Sequence, residues 1–448
     1  MKSKKRTKSA PKTRRTKKPS LFIVVPLVLI SFFVIAATIY KITEFILTNY
    51  AFTNLPKLEI SLTEVPLEAI NSNSKSVKYP NNLITLTADN GSSTFNNVEI
   101  KGHGNSTWAQ IKKPYQLKLD TKSDLIKDKP AKKWLLLANY LDPTHLRNDL
   151  AFHLEKILNE EYALSGDFVE LYMNDLYEGL YYLSEKVEIG KSRVDLKDSS
   201  GIIVELDNFY TDFEDCHYDD KHNCLTNKDS VNDDKKQEST DSFLKNFMSL
   251  QSAIKNKDYK KIKSLIDIDS FAKYFLLNEF SSNVDAYSSS FYMYKDGESD
   301  QIHAGPGWDF DYSFGSYALD TPFAESNFDL LHSPSEEMAL KTYLEKGSDA
   351  FSHGSSVSTI LYELMEIPEF EARVREIYQE TLSGKSDELL DYIKSQAEYI
   401  RPAALRDQER WKLETDFDEE IDHLVDWVAK RCDHFERTYG KNTNQQSN

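Results

Sequence analysis

The spacing of apolar residues changes along this chain, and the change limits the folds open to it. Between residues 57 and 120 apolar and polar side chains alternate, as at 58–62, 83–87 and 115–120, which is the period of a half-buried β-strand. From residue 242 onward the apolar spacing is mainly helical, and the predicted helices are 241–256, 258–265, 269–281, 356–365, 368–383, 385–399 and 417–438. We therefore predict an α+β fold, with a β-rich part first and a helix-rich part second.

One further hairpin and one further helix are predicted inside the β-rich part. The hairpin turns at Asn174 and Asp175, between two runs of strand-forming residues. The helix covers 145–160, where leucines recur at helical spacing. Arg147 and Asn148 fall on a different side of it from the leucines, and Glu155 could pair with a lysine. A surface helix is the alternative for all three residues and the favoured interpretation for Glu155.

Charge is distributed unevenly along the chain. The whole chain carries −17, whereas residues 1–20 contain ten Lys and Arg and no acid, so the remainder carries −27. Such an acidic body argues against nucleic acid as a partner. Residues 21–40 contain no charge, and twenty apolar residues are enough to cross a bilayer. We predict a single-pass signal anchor with a cytoplasmic N-terminus, and a cleaved signal peptide is the alternative.

The segments around this anchor complete the predicted organisation. Residues 1–20 form the basic cytoplasmic tail, 41–56 an extracytoplasmic stalk, and 436–448 a disordered tail. Residues 207–241 contain eleven Asp and Glu, and we predict an exposed acidic insertion there. Cys216 and Cys224 are close enough in sequence to staple this loop, although three unpaired thiols, with Cys432, remain the alternative.

A glycine turn joins two predicted strands at residues 102–108. Gly102, Gly104, Asn105 and Ser106 leave room for backbone N–H groups to approach phosphate oxygens. On the following strand Tyr115, Leu117 and Leu119 would face the core. Gln116 and Lys118 would face the opposite way, so that Lys118 could reach a phosphate under the turn. The alternative is a tight turn followed by a solvated lysine.

Three of the aspartates in the stretch 279–315 have settings that suggest chemistry, and this stretch joins a helix to a strand and then to a Gly-Pro-Gly run. Asp285 is in a polar turn after an apolar helix. Asp309 and Asp311 are alternate residues, so in an extended segment they share one face and can point at one cation such as Mg²⁺. Each Asp alone could instead be a turn or cap residue.

These segments together resemble the CotH (spore-coat protein H) kinase family. The resemblance spans roughly residues 55–435, in the family's order. The matching segments are KGHGNSTW at 101–108, KKPYQLKL at 112–119, 142–148, 181–187, 201–209, NVD at 283–285 and WDFD at 308–311.

This resemblance implies a two-lobed fold similar to an atypical protein kinase, over residues 57–435. The β-rich lobe would be about 57–206 and the helical lobe 242–435. The family uses ATP with Mg²⁺ or Mn²⁺ and phosphorylates Ser or Thr. Carried over, Lys118 with Gly102, Gly104, Asn105 and Ser106 would bind ATP, Asp285 would act on the substrate hydroxyl, and Asp309 with Asp311 would ligate the metal.

Two positions depart from the family pattern. Lys101 stands where the family commonly has Arg. Ser290 stands where an Asn usually supplies a second metal ligand, and a hydroxyl is a poorer Mg²⁺ ligand than an amide oxygen. We expect a membrane-anchored extracytoplasmic kinase acting on envelope or spore-coat proteins. The alternatives are a catalytically weak or inactive envelope scaffold and, less in keeping with Lys118, a glycoside hydrolase with Asp285 and Asp309 as its carboxylates.

Overall fold

Residues 53–448 form one compact unit and residues 1–52 another in the computed structural model of the chain. Every element described below belongs to the unit 53–448. The residues that the structure describes are 35–36, 38–41, 53–89, 91–208, 215–219, 223–283, 286, 289–316 and 360–440.

The segment predicted to span a membrane, 21–40, lies almost entirely outside the described residues. Of it, only 35, 36 and 38–40 are described, as exposed helix. Across the described ranges no helix is both long enough and apolar enough for a membrane crossing. The predicted tail 1–20 and most of the stalk 41–56 also lie outside the described residues.

Seven strands close into a barrel in the first half of the unit. They are β1 (Lys57–Ser61), β2 (Tyr79–Ala88), β3 (Gly91–Gly102), β4 (Tyr115–Ser123), β5 (Ala131–Leu137), β6 (Gly166–Met173) and β7 (Leu176–Glu185). The order around the barrel is β1-β2-β3-β4-β5-β7-β6. Successive pairs are antiparallel, and a parallel pairing of β1 with β6 completes the closure. A closed sheet has no free edge strand, which removes a site of unwanted strand pairing.

The barrel interior is a hydrophobic core of its own. Tyr115, Leu117 and Leu119 on β4 are each 2% exposed or less, so the predicted inward face of this strand is confirmed. Equivalent residues of the other strands fill the interior: Leu58, Ile60, Ile84, Val98, Ile100, Trp134, Leu136, Val169, Leu171, Met173, Tyr181 and Leu183.

The remaining elements are helices around a second sheet. The helices are α1 (Leu67–Ser72), α2 (Arg147–Ile157), α3 (Lys236–Lys255), α4 (Tyr259–Leu265), α5 (Ile268–Ser281), α6 (Ile360–Met365), α7 (Pro368–Thr381), α8 (Ser386–Trp411) and α9 (Phe417–Tyr439). The sheet contains β8 (Ile202–Leu206), β9 (His217–Tyr218), β10 (Cys224–Ser230), β11 (Phe291–Lys295) and β12 (His303–Ala304), in the order β12-β11-β8-β10-β9. The predicted α+β class is confirmed.

The segment 207–241 differs from the exposed loop that its acidity predicts. Part of it forms β10, which pairs antiparallel with β8, and α3 already begins at Lys236. Cys216 and Cys224 form a disulfide with their Cα atoms 5.2 Å apart, and Cys432 is a buried free thiol. At the C-terminus α9 continues to Tyr439, so the first residues of the predicted disordered tail are helical.

A buried ion pair connects the barrel to α8. The ammonium of Lys112 lies 2.7 Å from Oδ1 of Asp407, and both side chains are fully buried. Lys112 also donates to the carbonyl of Leu180 on β7 at 2.6 Å, and Asp407 accepts from the Leu180 N–H at 2.8 Å. The backbone N–H and C=O of one residue, Leu180, therefore bond to both charged side chains. Gly179 lies beside them with φ +117°, where a Cβ would overlap Asp407 Oδ1 at 2.1 Å.

Replacing Asp407 with alanine should strongly destabilise the protein, because the Lys112 ammonium would remain buried without a counter-charge. Breaking a buried pair in this way costs about 3–5 kcal/mol of unfolding free energy. Urea unfolding followed by circular dichroism measures the cost. Glu59→Ala is the matched control, since the half-exposed pair Lys57–Glu59 should contribute at most about 1 kcal/mol. Equal costs for the two variants would contradict the prediction.

Candidate functional site

The acidic loop, residues 305–313, carries Asp309 and Asp311. Gly305 and Pro306 are joined by a cis peptide bond, and Asp309 has φ 69°. The expectation that Asp309 and Asp311 lie in an extended segment is therefore wrong, because a left-handed residue interrupts the two-residue period of a strand. The two carboxylates nevertheless interact, since the charge of Asp309 helps to raise the pKa of Asp311.

Asp311 is the more buried of the two carboxylates. Burial, then the charges of Asp309 and Asp142, raise its pKa to about 7. The side-chain amide of Asn148 opposes this shift by donating to Asp311 Oδ1 at 2.5 Å. The hydroxyl of Ser290 donates to Asp309 Oδ2 at 3.3 Å. Ser290, which the sequence proposed as a metal ligand, is thus adjacent to Asp309.

Asp285 lies outside the described residues, but the start of its turn is described. Helix α5 ends at Ser281, and Ser282 follows in a left-handed conformation with φ 52°. The Ser281 carbonyl accepts a hydrogen bond from the N–H of Phe314 at 2.6 Å. The buried Arg431 of α9 donates to the Phe280 carbonyl at 3.1 Å. The turn that carries Asp285 therefore begins beside the C-terminal end of the acidic loop.

The second sheet contributes further acidic residues that sequence reasoning missed. Tyr292 on β11 is paired in register with Glu205 on β8. Burial raises the pKa of Tyr292 well above its usual value, and the nearby Glu205, Asp207 and Asp309 raise it further. Glu205 also forms an ion pair with Lys228. The available sequence signal was the acidic end of the strand Gly-Ile-Ile-Val-Glu-Leu-Asp.

Lysines from three segments surround His103 on the barrel side. Burial and then the charges of Lys186, Lys101 and Lys75 lower the pKa of the His103 imidazole to about 3. We call these three lysines the lysine cluster. The His103 ring contacts the Trp308 ring edge-on, with centroids 6.4 Å apart. The lysine cluster therefore adjoins the acidic loop.

The predicted glycine turn is held closed by Lys75. The Lys75 ammonium donates to the Gly104 carbonyl at 2.6 Å and also to the side chain of Asn105. A Cβ on Gly102 would approach the Lys75 Cα to 2.8 Å, and Gly104 has φ +77°. Both glycines are therefore required by the turn's own packing. Asn105 and Ser106 are exposed at its tip.

Lys118 lies on the outer face of β4, as predicted, and is exposed. Its register partners are Glu99 on β3 and Lys133 on β5. Lys101 instead pairs with Gln116, two residues nearer the glycine turn, which is about 7 Å along a strand. Lys101, which directly precedes Gly102, is thus nearer to the glycine turn along the sheet than Lys118 is.

The contact between His103 and Trp308 therefore connects the part of the chain that carries the lysine cluster with the acidic loop. The cations come mainly from the barrel, and the acids from the second sheet and the acidic loop. Such an arrangement suits a polyphosphate with a divalent cation, because lysines neutralise phosphates and paired carboxylates bind hard cations. Within the described residues no group of three His, Cys, Asp or Glu converges on one metal position. Mg²⁺ often uses only one or two carboxylates, with phosphates and water as its other ligands.

The chain thus combines a closed seven-stranded barrel with helices and a second sheet, an α+β protein with acidic and basic residues near one aromatic contact. The family model described as CotH kinase protein matches residues 99–435. The chain therefore belongs to the CotH kinase family, and the resemblance noted from its motifs is confirmed. The match begins within β3, so that β1 and β2, which complete the barrel, precede it. No curated protein matches the chain.

Glu155 of α2 is fully buried, so the expectation that it lies on a surface is wrong. Its Oε1 accepts a hydrogen bond from the Gly307 N–H at 2.5 Å, and its Oε2 accepts one from the Leu164 N–H at 3.4 Å. Burial raises its pKa from 4.5 to about 8. The helical spacing that suggested a surface residue carries no information on the loop that covers it.

Glu155→Gln should stabilise the protein at about pH 8 more than at about pH 5. A raised pKa in the folded state means that the group's contribution is complete below about pH 4.5 and is lost as the pH rises through about 8. Glutamine stays neutral, and its amide oxygen can still accept from Gly307. Calorimetric melting across this pH range measures the difference from the parent protein.

The matched control is Glu398→Gln, since Glu398 is exposed on α8. It should melt like the parent protein at every pH. A Glu155→Gln variant whose difference from the parent is the same at both pH values would contradict the assignment.

Proposed function

We propose that this chain is an active protein kinase of the CotH family, which transfers the γ-phosphoryl group of ATP to Ser or Thr of cell-envelope proteins. The observation that carries the proposal is the ring contact between His103, whose pKa the lysine cluster lowers, and Trp308 of the acidic loop, which also carries Asp309 and Asp311. Phosphoryl transfer requires mostly positioning and charge neutralisation. Under this proposal the barrel and the helical part act as the two lobes of a kinase-like fold.

Each element of the site has a proposed role. Asp309 and Asp311, with the Ser290 hydroxyl adjacent, would hold Mg²⁺ or Mn²⁺, and the pair of close carboxylates fits a divalent cation. When bound, this ion neutralises phosphate charge that builds up during transfer. Asp285 would orient the substrate hydroxyl and accept its proton.

The phosphates of ATP have two sets of candidate ligands. The family resemblance assigns Lys118 and the glycine turn. We favour the lysine cluster, because Lys101 lies two residues nearer the glycine turn than Lys118 and its charge, like that of Lys186, acts on His103. Lys118 is exposed on the outer face of β4. Lys75 would act by keeping the glycine turn closed.

The proposed location is the outer face of a membrane, with the uncharged segment 21–40 as anchor and the basic tail inside. The disulfide between Cys216 and Cys224 supports an oxidising compartment. A second candidate function is a kinase-like scaffold without activity. The Ser290 hydroxyl next to Asp309 favours it, because the site then lacks an amide oxygen for the metal.

Asp309→Ala and Asp285→Ala should each lower phosphate incorporation from labelled ATP by about 100-fold or more, because each removes a charge that acts on the reacting groups. The full chain is incubated with ATP and Mg²⁺ or Mn²⁺, and autophosphorylation or transfer to a Ser/Thr-rich acceptor protein is counted. Asp300→Ala, at a half-buried acid near β12, is the control and should transfer normally. Equal incorporation by the parent and all three variants would reject the kinase. Binding of ATP with Mg²⁺ and no transfer would favour the scaffold.

Lys101→Gln should raise the KM for ATP by about tenfold, because a hydrogen bond to a charged phosphate contributes about 1.5 kcal/mol or more. Lys118→Gln should have a smaller effect, since an exposed ammonium is screened by water. Steady-state kinetics against ATP concentration distinguish the two. A larger rise in the KM for ATP in Lys118→Gln than in Lys101→Gln would instead support Lys118, the lysine that the family resemblance assigns to the phosphates.

A further inference from the structure

One face of α2 lies along the acidic loop. The Glu155 carboxylate accepts from the N–H of Gly307, and the ring of Phe152 stacks on Trp308 with centroids 6.3 Å apart. Asn148 contacts the next residues of the loop, Phe310 and Asp311. Positions 148, 152 and 155 fall on one side of a helix. The helix therefore fixes the loop on both sides of Asp309.

The amide of Asn148 forms two hydrogen bonds with the loop. Its Oδ1 accepts from the backbone N–H of Phe310 at 3.0 Å, and its Nδ2 donates to Asp311 Oδ1 at 2.5 Å. Asn148 is 2% exposed and Asp311 is 8% exposed. Among the described residues, no hydrogen bond to Asp311 Oδ2 is formed. We call these two hydrogen bonds the bridge, and it thus fixes one carboxylate oxygen of Asp311 and leaves the other available.

The same bridge restrains Asp309. This residue has a left-handed backbone with φ 69°, which a non-glycine residue adopts at a cost and which persists when the surroundings over-determine it. Asn148 holds the N–H of the following residue, Phe310, and Arg147 donates from Nε to the carbonyl of Ser313 at 2.9 Å. Asp309 is therefore presented from a backbone that α2 holds at both ends.

We propose that Asn148 is a positioning residue of the cation site, which orients the carboxylates of Asp309 and Asp311 toward one divalent ion without ligating the ion itself. The proposal rests on the proposed function only for the identity of the ion. Both functional ends of the amide are already bonded to the loop, so Asn148 acts through the two aspartates. Residues that orient metal ligands in this way typically contribute about 10- to 100-fold to metal affinity.

Only an amide fits this position. A carboxylate at 148 could still accept from the Phe310 N–H, but it could not donate to Asp311. It would also add a negative charge beside Asp311, whose pKa burial and the charges of Asp309 and Asp142 already raise. Asn148→Asp therefore removes the hydrogen bond to Asp311 and keeps the hydrogen bond from the Phe310 N–H.

The test measures Mn²⁺ affinity of the full chain by titration with MnCl₂, followed by electron paramagnetic resonance of the free ion. Asn148→Asp should weaken Mn²⁺ binding by about tenfold or more. Asn148→Ser, which is neutral and too short to span both partners, should weaken it similarly and serves if the Asp variant does not fold. Lys156→Gln, at an exposed site of the same helix, is the control and should bind Mn²⁺ normally.

A swap distinguishes positioning from a purely structural role. Asn148→Asp combined with Asp311→Asn restores the side-chain hydrogen bond with its direction reversed, at unchanged net charge. The unfolding midpoint should recover toward that of the parent, while Mn²⁺ affinity should stay low, because the carboxylate is then at the wrong position. Parent-like affinity in folded Asn148→Asp or Asn148→Ser, or recovered affinity in the swap, would overturn the proposal.

The outcomes also separate this inference from the proposed function. A parent protein that binds Mn²⁺ but transfers no phosphate contradicts the kinase and leaves the role of Asn148 intact. A parent protein that transfers phosphate while Asn148→Asp retains full Mn²⁺ affinity supports the kinase and overturns the role of Asn148. A parent protein that binds no Mn²⁺ overturns both.

Discussion

The polar groups on the first turn of α2 are buried, and the need to give each of them a partner connects the distant parts of the chain. Asp149 accepts hydrogen bonds from Tyr182 on β7 at 2.9 Å and from Tyr392 on α8 at 2.7 Å. Asn148 and Arg147 bond to the acidic loop instead. Because an unsatisfied buried polar group costs more than a typical hydrogen bond contributes, the barrel, α8 and the acidic loop must be in place together. The position of Asp309 is thereby coupled to the fold as a whole.

Like charges accumulate on each side of the site, and this is unfavourable for folding alone. Three lysines depress the pKa of His103, and Asp309 and Asp142 raise that of Asp311. Each set would be relieved by a ligand of the opposite sign, since opposite charges favour the ionised forms. A polyphosphate would neutralise the lysines, and a divalent cation would neutralise the aspartates. A nucleotide complexed with a metal ion would meet both requirements at once, and this is the reason for proposing phosphoryl transfer rather than a reaction that uses two carboxylates alone.

Sequence periodicity predicted the elements well wherever burial is one-sided. The alternation of Tyr115, Leu117 and Leu119 marked the inward face of β4, and most of the later helices were predicted within about five residues of their ends. The exception is α8, which was predicted to end at 399 and continues to Trp411. It missed β10, because the sequence CLTNKDS has no alternation and is held by pairing with β8. Closure of the barrel by β1 and β6 was also beyond reach, since it joins segments more than a hundred residues apart. Two features near the site were missed for the same reason. Glu155 was expected on a surface, and the lysine cluster comes from three separate segments.

Ser290 and Asn148 together explain how the cation site can work with an unusual residue. Ser290 has φ 56°, a conformation in which Asn is favoured over most residues, so the amide usual in the family fits the backbone as well as the metal. Here a hydroxyl donates to Asp309 instead, and it supplies a weaker ligand. More of the proposed cation binding would then depend on Asp311, although burial disfavours the ionised form of its carboxylate. The N–H of Asn148 favours the ionised carboxylate, so the loss at position 290 increases what the helix contributes at position 148.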